Sequence, residues 1–252
     1  MLKFSASRTL WRQFPFKIYL DFIKNYPHRY IDKSGQTSTY YVCHNDGNKA
    51  LTEFYNNKEF QESNEWKEID QVIYQKLKNN ILIDLWCWFS VENTATLALQ
   101  GNALCYVGVD FCNIPEDDET THAYIKKMAN VDPIENTTTI KFIQDDFHDF
   151  LKRMPHDNKI IKHFAINGLE LISNQEVLGE KLNELTTDWS ILLVWGTGNI
   201  HLRSLIHFPY KETIISLNKN TWCSDDQIYV YERLPTERIE INKKKPETEW
   251  SL

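Results

Sequence analysis

The sequence predicts an α/β fold: a Rossmann-like, mainly parallel sheet of seven strands, preceded by an α-rich amino-terminal extension. Three observations predict it. From Ile81 onward, short apolar and β-branched runs alternate with intervals of helix length, and such strand–crossover–strand units build a parallel sheet covered on both faces. Acidic residues stand where three of these runs end, at Asp84, Asp110 and Asp145-Asp146. The last two runs lie close enough in sequence to pair antiparallel.

Residues 1–80 form the mainly helical extension. Pro15 opens a helix in which Ile18 pairs with Phe22, and Tyr19 with Ile23, at i,i+4 spacing, and Pro27 closes it. Thr37–His44 is β-branched and aromatic and reads as a short strand, followed by an Asn-Asp-Gly turn and an amphipathic segment from Lys49 to Tyr55. Trp66, Ile69, Val72, Ile73 and Leu77 fall at helical spacing. Core packing accounts for these aromatics.

Residues 81–234 form the sheet domain. The pattern predicts a strand at 81–86, a helix at 92–100, a strand at 105–110, a helix at about 118–130 and a strand at 139–144. It continues with a strand at 161–166, a helix at about 175–186, a strand at 190–195 and a short helix at about 200–207. Runs at 212–217 and 227–232 close the sheet, and residues 235–252 read as a polar tail.

Composition bounds the function. At 252 residues, 42% hydrophobic and 13% aromatic, the chain can bury a sizeable core. A net charge of −7, from 28 basic and 35 acidic residues, gives no overall drive toward nucleic acid or an anionic membrane. Five cysteines without CxxC spacing suggest neither a disulfide framework nor a zinc site. The histidines show no HxxxH or HxH spacing, so no metal is expected. No run reaches about 18 apolar residues and the first residues lack a signal-peptide core. The expectation is an intracellular protein, nuclear or cytoplasmic, without a membrane partner.

In open α/β sheets, ligands sit outside the carboxyl ends of the strands, and an acid ending the second strand is placed to reach ribose hydroxyls. The turn after the first strand of such a site is rich in glycine, because backbone N–H groups must approach the ligand with no Cβ in the way. Here that turn reads Cys87-Trp88-Phe89-Ser90-Val91-Glu92, and no glycine occurs from Ile81 to Gln100.

These residues resemble a family, the class I S-adenosylmethionine methyltransferases, and within it the trimethylguanosine synthases that methylate N2 of capped RNA. The family's first motif is similar to D-x-F-C-G-x-G-G-N-T followed by Q-F-A. The chain has Asp84-Leu85-Trp86-Cys87, then Asn93-Thr94, Ala98 and Gln100. Gly108-Val109-Asp110 looks like the end of the family's second strand, and Ile140–Phe147 (IKFIQDDF) resembles I-x-F-I-x-G-D-F. Ile191–Ile206 (ILLVWGTGNIHLRSLI) is similar to its fifth strand and following helix. The likeness spans about residues 80–234 and is specific only in these patches. A second placement sets Ile81, Asp84 and Trp88–Val91 on the family's pre-domain segment and Val109–Cys112 on the first motif, but leaves too little chain for the remaining strands.

The resemblance implies the seven-strand methyltransferase sheet, with strand 7 antiparallel beside strand 5. It implies that Asp84, Cys87, Asn93, Asp110 and Asp146 surround S-adenosylmethionine, Asp110 on the ribose and Asp146 near the adenine amine. The family's glycines are replaced by Trp88–Glu92, and Trp88 and Phe89 are expected to fill the cofactor space. The acceptor loop, S-P-P-W-G-G in the family, falls near Ala165–Glu170 and includes Asn167 and Gly168, with neither proline nor stacking ring. The expectation is a methyltransferase-like, non-catalytic binding or assembly subunit of an RNA-related complex, with a protein partner and no cofactor. One alternative is an active, divergent RNA methyltransferase using S-adenosylmethionine. Another is an interaction module docking through Trp11, Phe14, Phe16, Tyr19 and Phe22.

Overall fold

The computed structural model describes residues 21–26, 71–87, 91–110, 119–157, 159–166, 169, 172, 174–195, 198–216 and 227–235. The strands are β1 (Ile81–Leu85), β2 (Cys105–Asp110), β3 (Thr139–Gln144), β4 (Lys162–Ile166), β5 (Ile191–Trp195), β6 (Tyr210–Ser216) and β7 (Gln227–Arg233). The helices bounded within the described residues are α1 (Gln71–Leu77), α2 (Val91–Gln100), α3 (Glu119–Met128), α4 (Phe147–Arg153), α5 (Gln175–Leu185) and α6 (Gly198–Leu205).

The sheet order is β3-β2-β1-β4-β5-β7-β6. Strands β1 to β5 pair in parallel, and β7 runs antiparallel to both β5 and β6. This is the seven-strand class I methyltransferase sheet, with the inserted antiparallel strand where the closing runs predict it. The chain leaves β1 toward β2 and β3, then returns to place β4 on the other side of β1. The carboxyl ends of β1 and β4 therefore flank the topological switch point, where α/β sheets bind ligands.

Central strands are covered on both faces: β1 and β4 are buried at all five positions and β2 at all six, polar Asp84, Asp110, Lys162 and His163 included, whereas the outer β3 alternates with half-buried residues. Residue parity sends side chains to two cores. Ile81, Ile83 and Leu85 join Val107, Val109, Phe164 and Val194 beneath α4, α5 and α6. Leu82, Tyr106, Phe142, Ala165 and Leu193 lie beneath α1, α2 and α3.

Two parts of the amino-terminal region belong to these cores. Residues 21–24 are helical, and Ile23 and Tyr26 are buried in the first core, with Phe22 packed against it. Ile73 and Leu77 of α1 are buried in the second. The remainder of the Pro15–Pro27 helix, the Thr37–His44 strand and the polar tail lie outside the described residues.

The helix α4 is the element that pattern alone left unassigned. Its seven residues carry Phe147, Phe150 and Leu151 at i, i+3, i+4 on the core side, with Asp146 as N-cap and Lys152 and Arg153 in the last turn. At the amino ends of the strands, fully buried His163 ties three elements together. Its Nδ1 accepts from Ile191 N at 3.0 Å, and its Nε2 lies 2.9 Å from the Lys76 carbonyl. That pairing requires the neutral ring protonated on Nε2.

Candidate functional site

Asp84 is the fourth residue of β1, in register with Gly108 of β2 and Ala165 of β4. These two small neighbours leave room beside its carboxylate. The room is occupied: the Tyr106 hydroxyl donates to Asp84 Oδ2 at 2.9 Å, and both residues are fully buried. A Cβ on Gly108 would meet Cys87 Sγ at 2.9 Å and Phe142 Cδ1 at 3.0 Å. Glycine is thus required at 108 by protein packing, with a thiol and a phenyl ring closing over the strand.

After β1 the chain turns through Trp86, whose φ of 64° lies in the left-handed region, a conformation that costs a bulky residue and suits glycine. Two interactions hold it there. Trp86 N donates to Val109 O at 2.9 Å, extending the β1–β2 ladder, and the half-buried indole packs against the first core. Cys87, the next residue, is fully buried and in no disulfide.

Asp110 ends β2 and is fully buried. Its carbonyl accepts from Asp145 N at 3.0 Å, which carries the β2–β3 pairing one residue beyond the strands. Asp145 is also fully buried, and its two oxygens are both engaged. Oδ1 accepts from Asp146 N at 2.9 Å, and Oδ2 accepts from the Tyr26 hydroxyl at 2.5 Å. Arg153 Nη1 stands 3.8 Å from the same Oδ2, with its guanidinium 5.7 Å from the centre of the Tyr26 ring. Asp146 turns the other way and caps α4, its Oδ1 accepting from His148 N at 2.8 Å.

The structure therefore brings Asp84, Cys87 and Asp110 to the carboxyl ends of β1 and β2, with Asp146 at the start of α4 beyond β3. Asn93 lies in the first turn of α2. Its neighbour Thr94 is fully buried, and its hydroxyl has no hydrogen-bond partner among the described residues. Trp88, Phe89, Asn167 and Gly168 lie outside the described residues, as do Trp11, Phe14, Phe16 and Tyr19.

Sequence reasoning missed Tyr26, Tyr106 and Arg153 as partners of the strand-end acids. Tyr106 had a local signal, since a tyrosine in a buried strand needs a partner for its hydroxyl. Tyr26 had none, because its acceptor is 119 residues away. Among the described residues, no group of three or more His, Cys, Asp or Glu side chains is placed to hold a metal ion. No helix among them is long and apolar enough to cross a membrane.

No protein-family model matches the chain, and no curated protein matches it. Solved structures similar to it include the 1,6-didemethyltoxoflavin-N1-methyltransferase of Burkholderia thailandensis, at 7% identity and a TM-score of 0.45, covering 82% of this chain and 99% of that one. A methyltransferase from Geobacter sulfurreducens is 11% identical with a TM-score of 0.41, covering 88% and 97%. TrmN from Thermus thermophilus is 12% identical with a TM-score of 0.37, covering 65% of this chain. The match spans only 48% of TrmN, and 49% of a similar Streptococcus mutans chain. At such identities and TM-scores these likenesses carry no argument about activity. The sheet order itself defines the methyltransferase-like fold.

Proposed function

We propose that this chain is a methyltransferase-like protein without transferase activity, working as a binding or assembly subunit. The observation that carries this reading is the burial of the strand-end acids: Asp84, Asp110 and Asp145 are all fully buried, and tyrosine hydroxyls donate to two of them. A nucleoside cofactor needs a carboxylate facing a cleft, and bare backbone at the first turn. Here the ribose position, Asp110, has no exposed surface, and the first turn begins with a left-handed tryptophan instead of glycine. As they stand, these residues do not fit S-adenosylmethionine.

The placing of the subunit in an RNA-related complex rests on the short sequence patches, around Asp84, Gly108–Asp110 and Ile140–Phe147, that resemble trimethylguanosine synthases. A net charge of −7 adds nothing to direct RNA binding, so a protein partner is the better occupant of such a role. Calorimetric titration of the full chain with S-adenosylmethionine and S-adenosylhomocysteine tests the reading. No heat of binding is expected up to millimolar ligand. Micromolar affinity would sink it in favour of a divergent RNA methyltransferase, and transfer of labelled methyl groups to capped RNA would then identify the substrate.

A further inference from the structure

We infer that the turn joining α5 to β5 is a docking surface for a basic segment of a partner protein, with the indole of Trp189 as its anchor. The inference deepens the reading of the chain as a binding subunit and rests on it. Among the described residues, the non-glycine positions with positive φ are four asparagines, Asn79, Asn102, Asn130 and Asn174, and the tryptophans Trp86 and Trp189. Asparagine tolerates the left-handed region, whereas a bulky ring is costly there. Trp86 has a packing reason, since its indole lies against the first core. Trp189, at φ 71°, is 51% exposed, and among the described residues no ring or cation stacks on it.

Hydrogen bonds fix the turn in this conformation. Ser190 N donates to Thr187 O at 3.0 Å, which makes Trp189 the third residue of a β-turn, where positive φ ordinarily calls for glycine or asparagine. Trp189 N donates to Arg233 O and Arg233 N to Ser190 O, both at 2.9 Å, tying the turn to the end of β7. Arg233 Nη1 donates to the carbonyls of Thr186 and Asn183 at 2.7 and 3.2 Å, so its charge is turned to the end of α5. A large ring held out to solvent on a fixed backbone loses little freedom on binding, which is what makes tryptophan an interface anchor. The surroundings select the charge of the partner. Asp188 precedes the ring, and Glu176, Glu180 and Glu184 are exposed at i,i+4 spacing along the helix leading to it. Glu184 is shared by Lys181 and His156, whereas Glu176, Glu180 and Asp188 have no ion-pair partner among the described residues. A lysine or arginine suits both the indole face and these carboxylates.

Fluorescence anisotropy on the full chain tests this, with a labelled peptide of five arginine-glycine repeats as the probe. Trp189→Gly removes the ring and suits the turn, so it should weaken binding about tenfold or more, roughly 1.4 kcal/mol, with no fall in the urea midpoint. Asp188→Asn should weaken binding severalfold. The pair Glu119→Gln and Glu135→Gln, which removes two exposed charges elsewhere, should weaken it less than about twofold if contact with Trp189, rather than net charge, decides. Should Trp189→Gly fail to fold, Trp189→Asn keeps the turn and makes the same comparison. No binding by the unaltered chain, or equal weakening by the distant pair, would overturn the surface. Tighter binding after Lys243–Lys245 are changed to alanine would overturn it in favour of the chain's own tail, and a dimer in light scattering that Trp189→Gly dissociates would do so in favour of a second copy. Titration with S-adenosylmethionine stands apart from this: binding there overturns the functional reading, whereas the peptide titration judges the surface.

Discussion

Gly108 shows how a single residue reports on the site. A methyl group there would meet Cys87 Sγ and Phe142 within 3.0 Å, and both the thiol and the ring are fully buried. Gly108→Ala should therefore lower stability by about 1–3 kcal/mol, as overpacked cores do, in a urea titration. The Tyr106 hydroxyl donates to the Asp84 carboxylate, so Tyr106→Phe should cost roughly 1.5–3 kcal/mol by the same measurement. His163 sets a pH dependence. Burial, reinforced by the Lys76 charge and opposed by the bond to the Lys76 carbonyl, pulls its pKa down to about 3. The unfolded chain, with an ordinary value of about 6.5, then binds the proton more readily than the folded one. Stability from this group is present above pH 6.5 and falls by up to about 1.4 kcal/mol per pH unit as the pH drops toward 3. Urea titrations at pH 7.5 and 5.5 should show this slope, and it should be shallower in His163→Gln.

Among elements, α4 decides how Asp146 is read. The sequence resemblance implies a place near the adenine amine for this residue, and the geometry gives its carboxylate a structural task, capping the helix through the His148 amide. Asp146→Ala should lose about 0.5–2 kcal/mol of stability, while Asp146→Asn, another good cap, should lose far less. Thermal melts of the two variants check this. Equal losses would mean that the charge, not the cap, matters at this position. The neighbouring Asp145 has the opposite fate: its side chain turns to the first core and takes partners from the amino-terminal segment and from the end of α4. Two adjacent acids at one strand end thus serve a helix and a tertiary contact.

At the scale of the molecule, side chains from ahead of residue 81 enter both cores of the sheet. Ile23 and Tyr26 are buried on one face of the sheet, and Ile73 and Leu77 on the other. Losing four such side chains forfeits roughly 6–12 kcal/mol at about 1.5–3 kcal/mol each, comparable to the whole stability of about 5–15 kcal/mol for a typical domain. A fragment comprising residues 81–234 should therefore fail to give a cooperative urea transition, while the full chain gives one. A cooperative, near-native transition from the fragment would show that the amino-terminal contacts are dispensable.

The sequence by itself determined the sheet. Parallel strands buried on both faces are mainly apolar, so Ile81–Leu85, Cys105–Asp110 and Ile191–Trp195 announce themselves, and the short spacing of the last two runs foretells the antiparallel β7. It also placed Asp84 and Asp110 at strand ends, because strand ends are local features. Helix α4 was harder to read, since three apolar residues in seven give too short a period to separate from a loop. Only the tertiary structure decided what the strand-end acids do. Whether a carboxylate faces a ligand or a tyrosine depends on which side chain arrives beside it in space, and Tyr26 reaches Asp145 across 119 residues. Hydrophobic periodicity is a property of neighbours along the chain, whereas the satisfaction of a buried charge is a property of neighbours in the fold.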